Sequence, residues 1–230
     1  MNYSPRNLGV WDSWCMPVAD EVHLYHLQRN RPGVDFPSAA EDTIGHAVSR
    51  NLVDWEERPP VFGPDPLNPD DDLQPWTGST VWHDGRGYFY YTMRGSRTAS
   101  HVQAIGLATT QNPDQWTREP GNPVLTPDPR WYSTLQRPTP GMVDCRDLIV
   151  IPDPDGEGWY GFYASRQPGE ELPETSVIAC VHSRDMRHWE HLPPAFAPEK
   201  YACIEVPDVY FLNGRWYLTC LTGHYYGNRG

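Results

Sequence analysis

Apolar and aromatic residues come in short runs along this chain, and turn-forming residues separate them. Val22 to Gln28 runs into Arg-Pro-Gly. Thr80 to His83 meets Asp84-Gly85, and Tyr88 to Met93 follows. Leu148 to Ile151 meets Pro-Asp-Pro-Asp-Gly, and Trp159 to Ser165 follows. Val209 to Leu212 meets Asn213-Gly214, and Arg215 to Leu221 follows. Asp-Gly and Asn-Gly suit the positive φ angles that tight hairpins require. No stretch between them holds a helical period, so the pattern predicts an antiparallel all-β chain. The Pro- and Asp-rich connection from Pro59 to Pro75 is too polar to pack inside and is expected on the surface. No linker divides the chain into separate domains.

The runs themselves repeat. Ser49 to Glu56 reads Ser-Arg-Asn-Leu-Val-Asp-Trp-Glu, Thr110 to Thr117 reads Thr-Gln-Asn-Pro-Asp-Gln-Trp-Thr, and Ser183 to Glu190 reads Ser-Arg-Asp-Met-Arg-His-Trp-Glu. Each puts a Trp six residues after a Ser or Thr, and each follows an apolar segment. An aromatic run precedes each copy: His-Leu-Tyr-His-Leu, Tyr-Phe-Tyr-Tyr-Thr and Trp-Tyr-Gly-Phe-Tyr. A further echo, Trp216-Tyr-Leu-Thr-Cys220, begins a fourth unit. Long-period repeats with several short strands each predict β-propeller blades. Three full units and part of a fourth predict an open arc of about three and a half blades over residues 1–230. On this reading the chain stops short of a closed ring, and its free blade edge near residues 210–230 could pair with another chain. Trp55, Trp116 and Trp189 are expected in the core.

Composition narrows the function classes. The chain has 230 residues, 25 Pro, 19 Gly and a net charge of −12. An acidic chain without a basic stripe is a poor nucleic-acid binder. Ten Trp, 13 Tyr and 6 Phe supply apolar bulk for a core although hydrophobic residues make up only 38%. Five Cys without a C-x-x-C spacing read as free thiols of a reducing compartment. No apolar run is long enough to cross a membrane, and the N-terminus lacks the apolar stretch of a signal peptide. A cytoplasmic location is the expectation. The nine His show no tight ligand spacing, so no metal and no cofactor are expected.

Acids at the starts of the units carry the candidate chemistry. Asp12 sits in Val-Trp-Asp-Ser-Trp, Asp147 in Asp-Cys-Arg-Asp-Leu, and Glu205 in Cys-Ile-Glu-Val-Pro-Asp. Innermost strands of a propeller converge on its axis, so equivalent positions would aim all three at one pocket. Two carboxyl groups of unequal pKa are what glycosidic cleavage needs, one to donate a proton and one to act as nucleophile or base.

With these segments the chain resembles glycoside hydrolase family 32, the β-fructosidase or invertase-like enzymes, and related five-bladed propeller glycosidases. Gly45-His46-Ala47-Val48-Ser49 with Leu52-Val53-Asp54-Trp55-Glu56 is similar to the family's first-blade segment. Trp76-Thr77-Gly78-Ser79 is similar to its S-G-S segment, Arg146-Asp147 to the start of R-D-P, and Glu205 with Pro207-Asp208 to E-C-P-D. The resemblance implies a five-bladed architecture and a retaining hydrolase of furanosyl bonds, most of all β-fructofuranosyl. It implies Asp12 as nucleophile, Glu205 as general acid/base and Asp147 as a stabiliser that binds sugar hydroxyls. Ser79 and Asp208 lie in the segments that carry it and are assigned to substrate, as is Gln28, which follows the first aromatic strand. Arg146 beside Asp147 is expected to keep that carboxyl ionised.

Three departures matter. Of the family's N-D-P-N-G only Asp12 remains; Leu148 replaces the Pro of R-D-P; Val206 replaces the Cys of E-C-P-D. They leave open an inverting, family 43-like arabinosidase or xylosidase chemistry; the missing blades leave open a carbohydrate-binding propeller without catalysis, or a truncated and inactive product. Trp14 and Trp76 flank the expected site, where each could stack on a sugar or pack at a blade edge. His46 could hydrogen-bond in the pocket or serve the fold.

Overall fold

The computed structural model describes residues 3–5, 8–30, 43–99, 102–134, 143–168 and 175–222. Fourteen strands account for nearly all its regular structure; among the described residues the helical part is one short turn, Ser96–Thr98. The strands form three four-stranded antiparallel sheets and one hairpin, each in sequence order. Blade 1 holds β1 (Leu8–Val18), β2 (Glu21–Asn30), β3 (Ile44–Ser49) and β4 (Glu56–Phe62). Blade 2 holds β5 (Trp76–His83), β6 (Arg86–Met93), β7 (Ala104–Asn112) and β8 (Gln115–Arg118). Blade 3 holds β9 (Arg146–Pro152), β10 (Trp159–Arg166), β11 (Ser176–Ser183) and β12 (Glu190–Phe196). β13 (Glu205–Leu212) and β14 (Arg215–Leu221) make the hairpin of blade 4. The innermost strands follow one another, β1 against β5, β5 against β9 and β9 against β13. Among the described residues the fold is a partial propeller of three and a half blades.

Strand β6 shows how blades stack. Its Phe89, Tyr91 and Met93 join the cluster shared with blade 1, beside Met16, Tyr25 and Leu27. Its Tyr88 and Tyr90 join the cluster shared with blade 3, beside Val150, Tyr163 and Met186. Alternate side chains point to opposite faces, and both faces are covered, so the strand reads as one unbroken aromatic run. Hydrogen bonds tie the layers: the Tyr90 hydroxyl donates to the Met186 carbonyl at 2.7 Å, and the Tyr25 hydroxyl to the Pro113 carbonyl at 3.0 Å.

The Trp-bearing repeats are the turns between the third and fourth strands of each blade. Ser49 Oγ accepts the N–H groups of Asn51 and Leu52, and Asn51 Oδ1 accepts those of Val53 and Asp54. Ser183 and Asp185 repeat the pattern on residues 185–188. Leu52 and Met186 both take positive φ, 62° and 61°. Thr110 and Asn112 form a lighter version. The Trps that follow are half-buried rather than core: Trp116 lies edge-on to Tyr25 and Phe89, and Trp189 edge-on to Tyr90. Trp116 and Trp189 seal the outer seams between blades 1 and 2 and between blades 2 and 3, one side facing solvent, while Trp55 packs against Tyr3.

Asp84-Gly85 and Asn213-Gly214 turn their hairpins with positive φ at both positions. Blade 4 is the exposed end among the described residues, with Tyr210, Phe211, Trp216 and Tyr217 each at least 39% exposed. The expected edge at 210–230 is thus seen as far as Thr222; residues 223–230 and the Arg-Pro-Gly turn at 31–33 lie outside the described residues.

Candidate active site

Every innermost strand carries a bulge near its start. The pairing of β1 with β2 shifts between Val10 and Ser13, leaving Trp11 and Asp12. That of β5 with β6 shifts between Trp76 and Gly78, leaving Thr77. The β9 ladder breaks after Arg146, at Asp147, and the β13 ladder between Glu205 and Asp208, at Val206. A bulge inserts a residue, bends the strand and re-aims its side chain. Asp147 and Val206 take φ of 62° and 49°, a conformation a β-branched residue rarely adopts. There the Val206 N–H donates to Asp147 Oδ2 at 3.0 Å. Asp147 and Val206 are the equivalent pair; Glu205 stands one residue earlier, level with Arg146, so the three acids do not share one repeat position.

The bulges surround a cavity of about 400 Å³. Asp12, Trp76, Thr77, Arg146, Asp147 and Glu205 line it, with Trp11, Leu27, Val206 and Leu221 completing the wall. The Thr77 hydroxyl donates a short hydrogen bond to Asp12 Oδ2. The Thr92 hydroxyl donates to the Thr77 carbonyl at 2.8 Å and accepts the Asp147 N–H at 3.0 Å, fastening two bulges to β6. Gly78 is required beside them, because a Cβ there would lie 1.8 Å from the Tyr90 carbonyl oxygen.

Arg146 is the buried cation of the site. Its Nη2 lies 3.5 Å from Glu205 Oε2, its Nε 3.6 Å from Asp147 Oδ2, and its Nη1 2.7 Å from Asp144 Oδ1. Burial works against its charge, but Asp144, Asp147, Cys203 and Glu205 outweigh that and raise its pKa. Asp147 behaves otherwise than the sequence predicts. Burial pushes its pKa up to about 7; Arg146 and the Val206 N–H pull it down, and Glu205 and Asp12 add to the rise. Arg146 divides its charge among several carboxylates, and its pull on Asp147 is smaller than the push of burial.

The other expected contacts distribute unevenly. Trp76 reaches the cavity, with the Arg94 guanidinium 3.7 Å over its ring. Trp14 does not: it lies edge-on to Phe89 between blades 1 and 2, and Trp11 borders the cavity in its place. The Gln28 side chain donates to Thr43 Oγ1, beside the cavity wall at Leu27 rather than in it. Ser79 is buried and donates to the Leu148 carbonyl at 2.6 Å, joining blades 2 and 3. Asp208 is exposed beyond the β13 bulge. His46 is a fold residue, stacked on Tyr25 and joined to His23 at 2.9 Å. Burial, with His23, Arg58 and His26 near it, lowers its pKa to about 3. His23, His46 and Asp114 bring three potential ligand atoms within 4.8 Å, between blades 1 and 2 and apart from the cavity. Sequence reasoning missed Thr77 and Thr92 as supports and Trp11 as a wall. Thr77 held a visible signal, since it starts its blade as Asp147 starts the next.

The pattern of the glycosyl hydrolases family 32 N-terminal domain matches residues 19–224, an interval that contains Asp147 and Glu205 and begins after Asp12. A bifunctional 6(G)-fructosyltransferase/2,1-fructan:2,1-fructan 1-fructosyltransferase of Allium cepa is 30% identical over 201 residues, 81% of this chain and 29% of its own length. The chain therefore spans less than a third of that relative. An inulosucrase of Halalkalicoccus jeotgali bound to kestose superposes with a TM-score of 0.75 at 21% identity, over 98% of this chain and 64% of its own. A family 32 β-fructofuranosidase of Bombyx mori superposes with a TM-score of 0.68 at 19% identity, over 93% of this chain and 43% of its own. At these identities the solved structures speak for the fold.

Proposed function

This chain belongs to glycoside hydrolase family 32, and from that premise we propose that its cavity hydrolyses β-fructofuranosyl bonds by a retaining, two-carboxylate mechanism. One observation carries the reading: Asp12, Asp147 and Glu205 border a single cavity with buried Arg146 among them. In the first step the Asp12 carboxylate attacks the anomeric carbon and the bond to the leaving oxygen breaks. Glu205 gives that oxygen its proton. In the second step Glu205 takes a proton from water, the water oxygen bonds the anomeric carbon, and the Asp12 ester is released. Thr77 orients the attacking carboxylate through its hydroxyl. Asp147, fixed by the Val206 N–H, is set to bind sugar hydroxyls while charge develops on the ring. Trp11 and Trp76 offer apolar faces to the sugar's C–H surface.

The test uses the full-length protein with sucrose, 1-kestose, inulin, levan and arabinan oligosaccharides. Release of fructose with retained anomeric configuration, followed by NMR in the first minutes, supports the reading. Inversion would remove Asp12 from the nucleophile's role, and release of arabinose alone would point to family 43-like chemistry. Binding of these sugars without turnover would favour a non-catalytic propeller.

A further inference from the structure

Asp144 lies two residues before the start of β9 and outside the cavity wall. Its side chain is 4% exposed. Each of its oxygens takes a different arginine: Oδ1 accepts from Arg146 Nη1 at 2.7 Å, and Oδ2 accepts a short hydrogen bond from Arg166 Nε. The Ser165 hydroxyl holds its backbone carbonyl at 3.0 Å. Arg146 is thereby gripped at one end of its guanidinium, and its other nitrogens face Asp147 and Glu205 at 3.6 and 3.5 Å. A buried carboxylate between two guanidiniums is costly to assemble unless all partners are matched.

We propose that Asp144 is a positioning residue for this site: it fixes the fork of Arg146 between Asp147 and Glu205 and offsets the charge of Arg166 behind it. The inference rests on the roles proposed above for those two carboxyls. The titratable and charged groups around them are Asp12 from β1, Arg146 from β9 and the neutral Cys203 thiol, whose Sγ lies 3.1 Å from Arg146 Nη2; Asp144 and Arg166 stand behind Arg146. Among these Asp144 acts on Asp147 and Glu205 through the arginines.

The sign follows from charge. Neutralising Asp144 removes a negative charge from beside two arginines, and their field then favours the ionised forms of Glu205 and Asp147 more strongly. Removing Arg166 has the opposite effect. The experiment measures the pH dependence of kcat/KM on sucrose for the full-length protein and its Asp144→Asn and Arg166→Gln variants. Carbon-13 carboxyl titrations of Asp147 and Glu205 accompany it. Asp144→Asn should move the alkaline limb and both carboxyl midpoints down by about one pH unit, and Arg166→Gln should move them up by a smaller amount. Wild-type midpoints in both variants overturn the proposal, whatever happens to thermal stability. If Asp144→Asn does not fold, the direction of the Arg166→Gln shift decides. If the wild-type protein releases no fructose, the functional reading fails, and the carboxyl titrations still decide this one.

Discussion

The outer turns and the inner bulges of the blades are the same places in successive repeats, yet they diverge in opposite ways. At the outer turns similar residues do one job three times: Ser49 with Asn51, Thr110 with Asn112, Ser183 with Asp185, each capping its own backbone. At the inner bulges the backbone break recurs four times while the side chains change to Asp12, Thr77, Asp147 and Val206. A turn's requirements are local, and every copy must meet them. A bulge supplies only a direction, and the residue placed there answers to what the other blades bring to the axis. Repetition of sequence therefore marks the scaffold, and repetition of backbone with changed residues marks the site.

Breaking the inner set should have the largest effect on turnover and little on folding. In the full-length protein Asp12→Asn should lower kcat by at least about a thousandfold, a loss of roughly 4 kcal/mol in transition-state stabilisation. Glu205→Gln should fall comparably on sucrose but recover on fructosides with good leaving groups, which need less protonation. Thermal unfolding should be near wild type for both. Wild-type-like turnover in Asp12→Asn would remove it from the nucleophile's place.

Asp147→Asn separates function from stability at one position. The carboxyl's folded pKa, about 7, lies above its unfolded value, so folding takes up a proton between the two. That contribution is absent in acid, and the destabilisation grows as pH rises from about 4 to 7. Removing the charge should raise the melting temperature at pH 8, by about 2–4 °C per kcal/mol relieved, and leave it unchanged near pH 4. Activity should fall at both. Equal melting temperatures for mutant and wild type at pH 8 would refute the destabilising role of this carboxyl.

The sequence disclosed the repeats and the blades because a strand buried on both faces must be apolar throughout, as β6 is, and because hairpin turns demand Asp-Gly or Asn-Gly. That Asp12, Asp147 and Glu205 border one cavity was legible from their places near blade starts, although they do not share one repeat position. What stayed hidden depends on register. An extra residue in β1 reverses which side chains face inward, so Trp11 takes the cavity and Trp14 the seam between blades. The offset of Glu205 has the same origin. Thr92 and Asp144 act across strands, through contacts 55 and 22 residues away in the chain, and no local pattern marks them.

The smallest effects lie at the outer turns and test whether the three copies are equivalent. Asp185 Oδ1 accepts two backbone N–H groups, from Arg187 and His188, as Asn51 does from Val53 and Asp54; Asn112 serves Asp114, with Pro113 offering no donor in between. Truncating a side chain that caps two donors costs about 1 kcal/mol, so Asp185→Ala and Asn51→Ala should each lose about that much, and Asn112→Ala about half. The two strong copies should also differ with pH. Burial opposes the Asp185 charge, but hydrogen bonds from His188, Arg187 and Ser183 hold its pKa below the usual carboxylate range. A depressed acid stabilises above its unfolded pKa and loses that contribution as pH falls. The Asp185→Ala deficit should therefore shrink in acid while the Asn51→Ala deficit stays constant. Denaturant titrations of the three variants at pH 7 and pH 3.5 measure both differences, and equal deficits at the two pH values would show that the Asp185 charge plays no part in its turn.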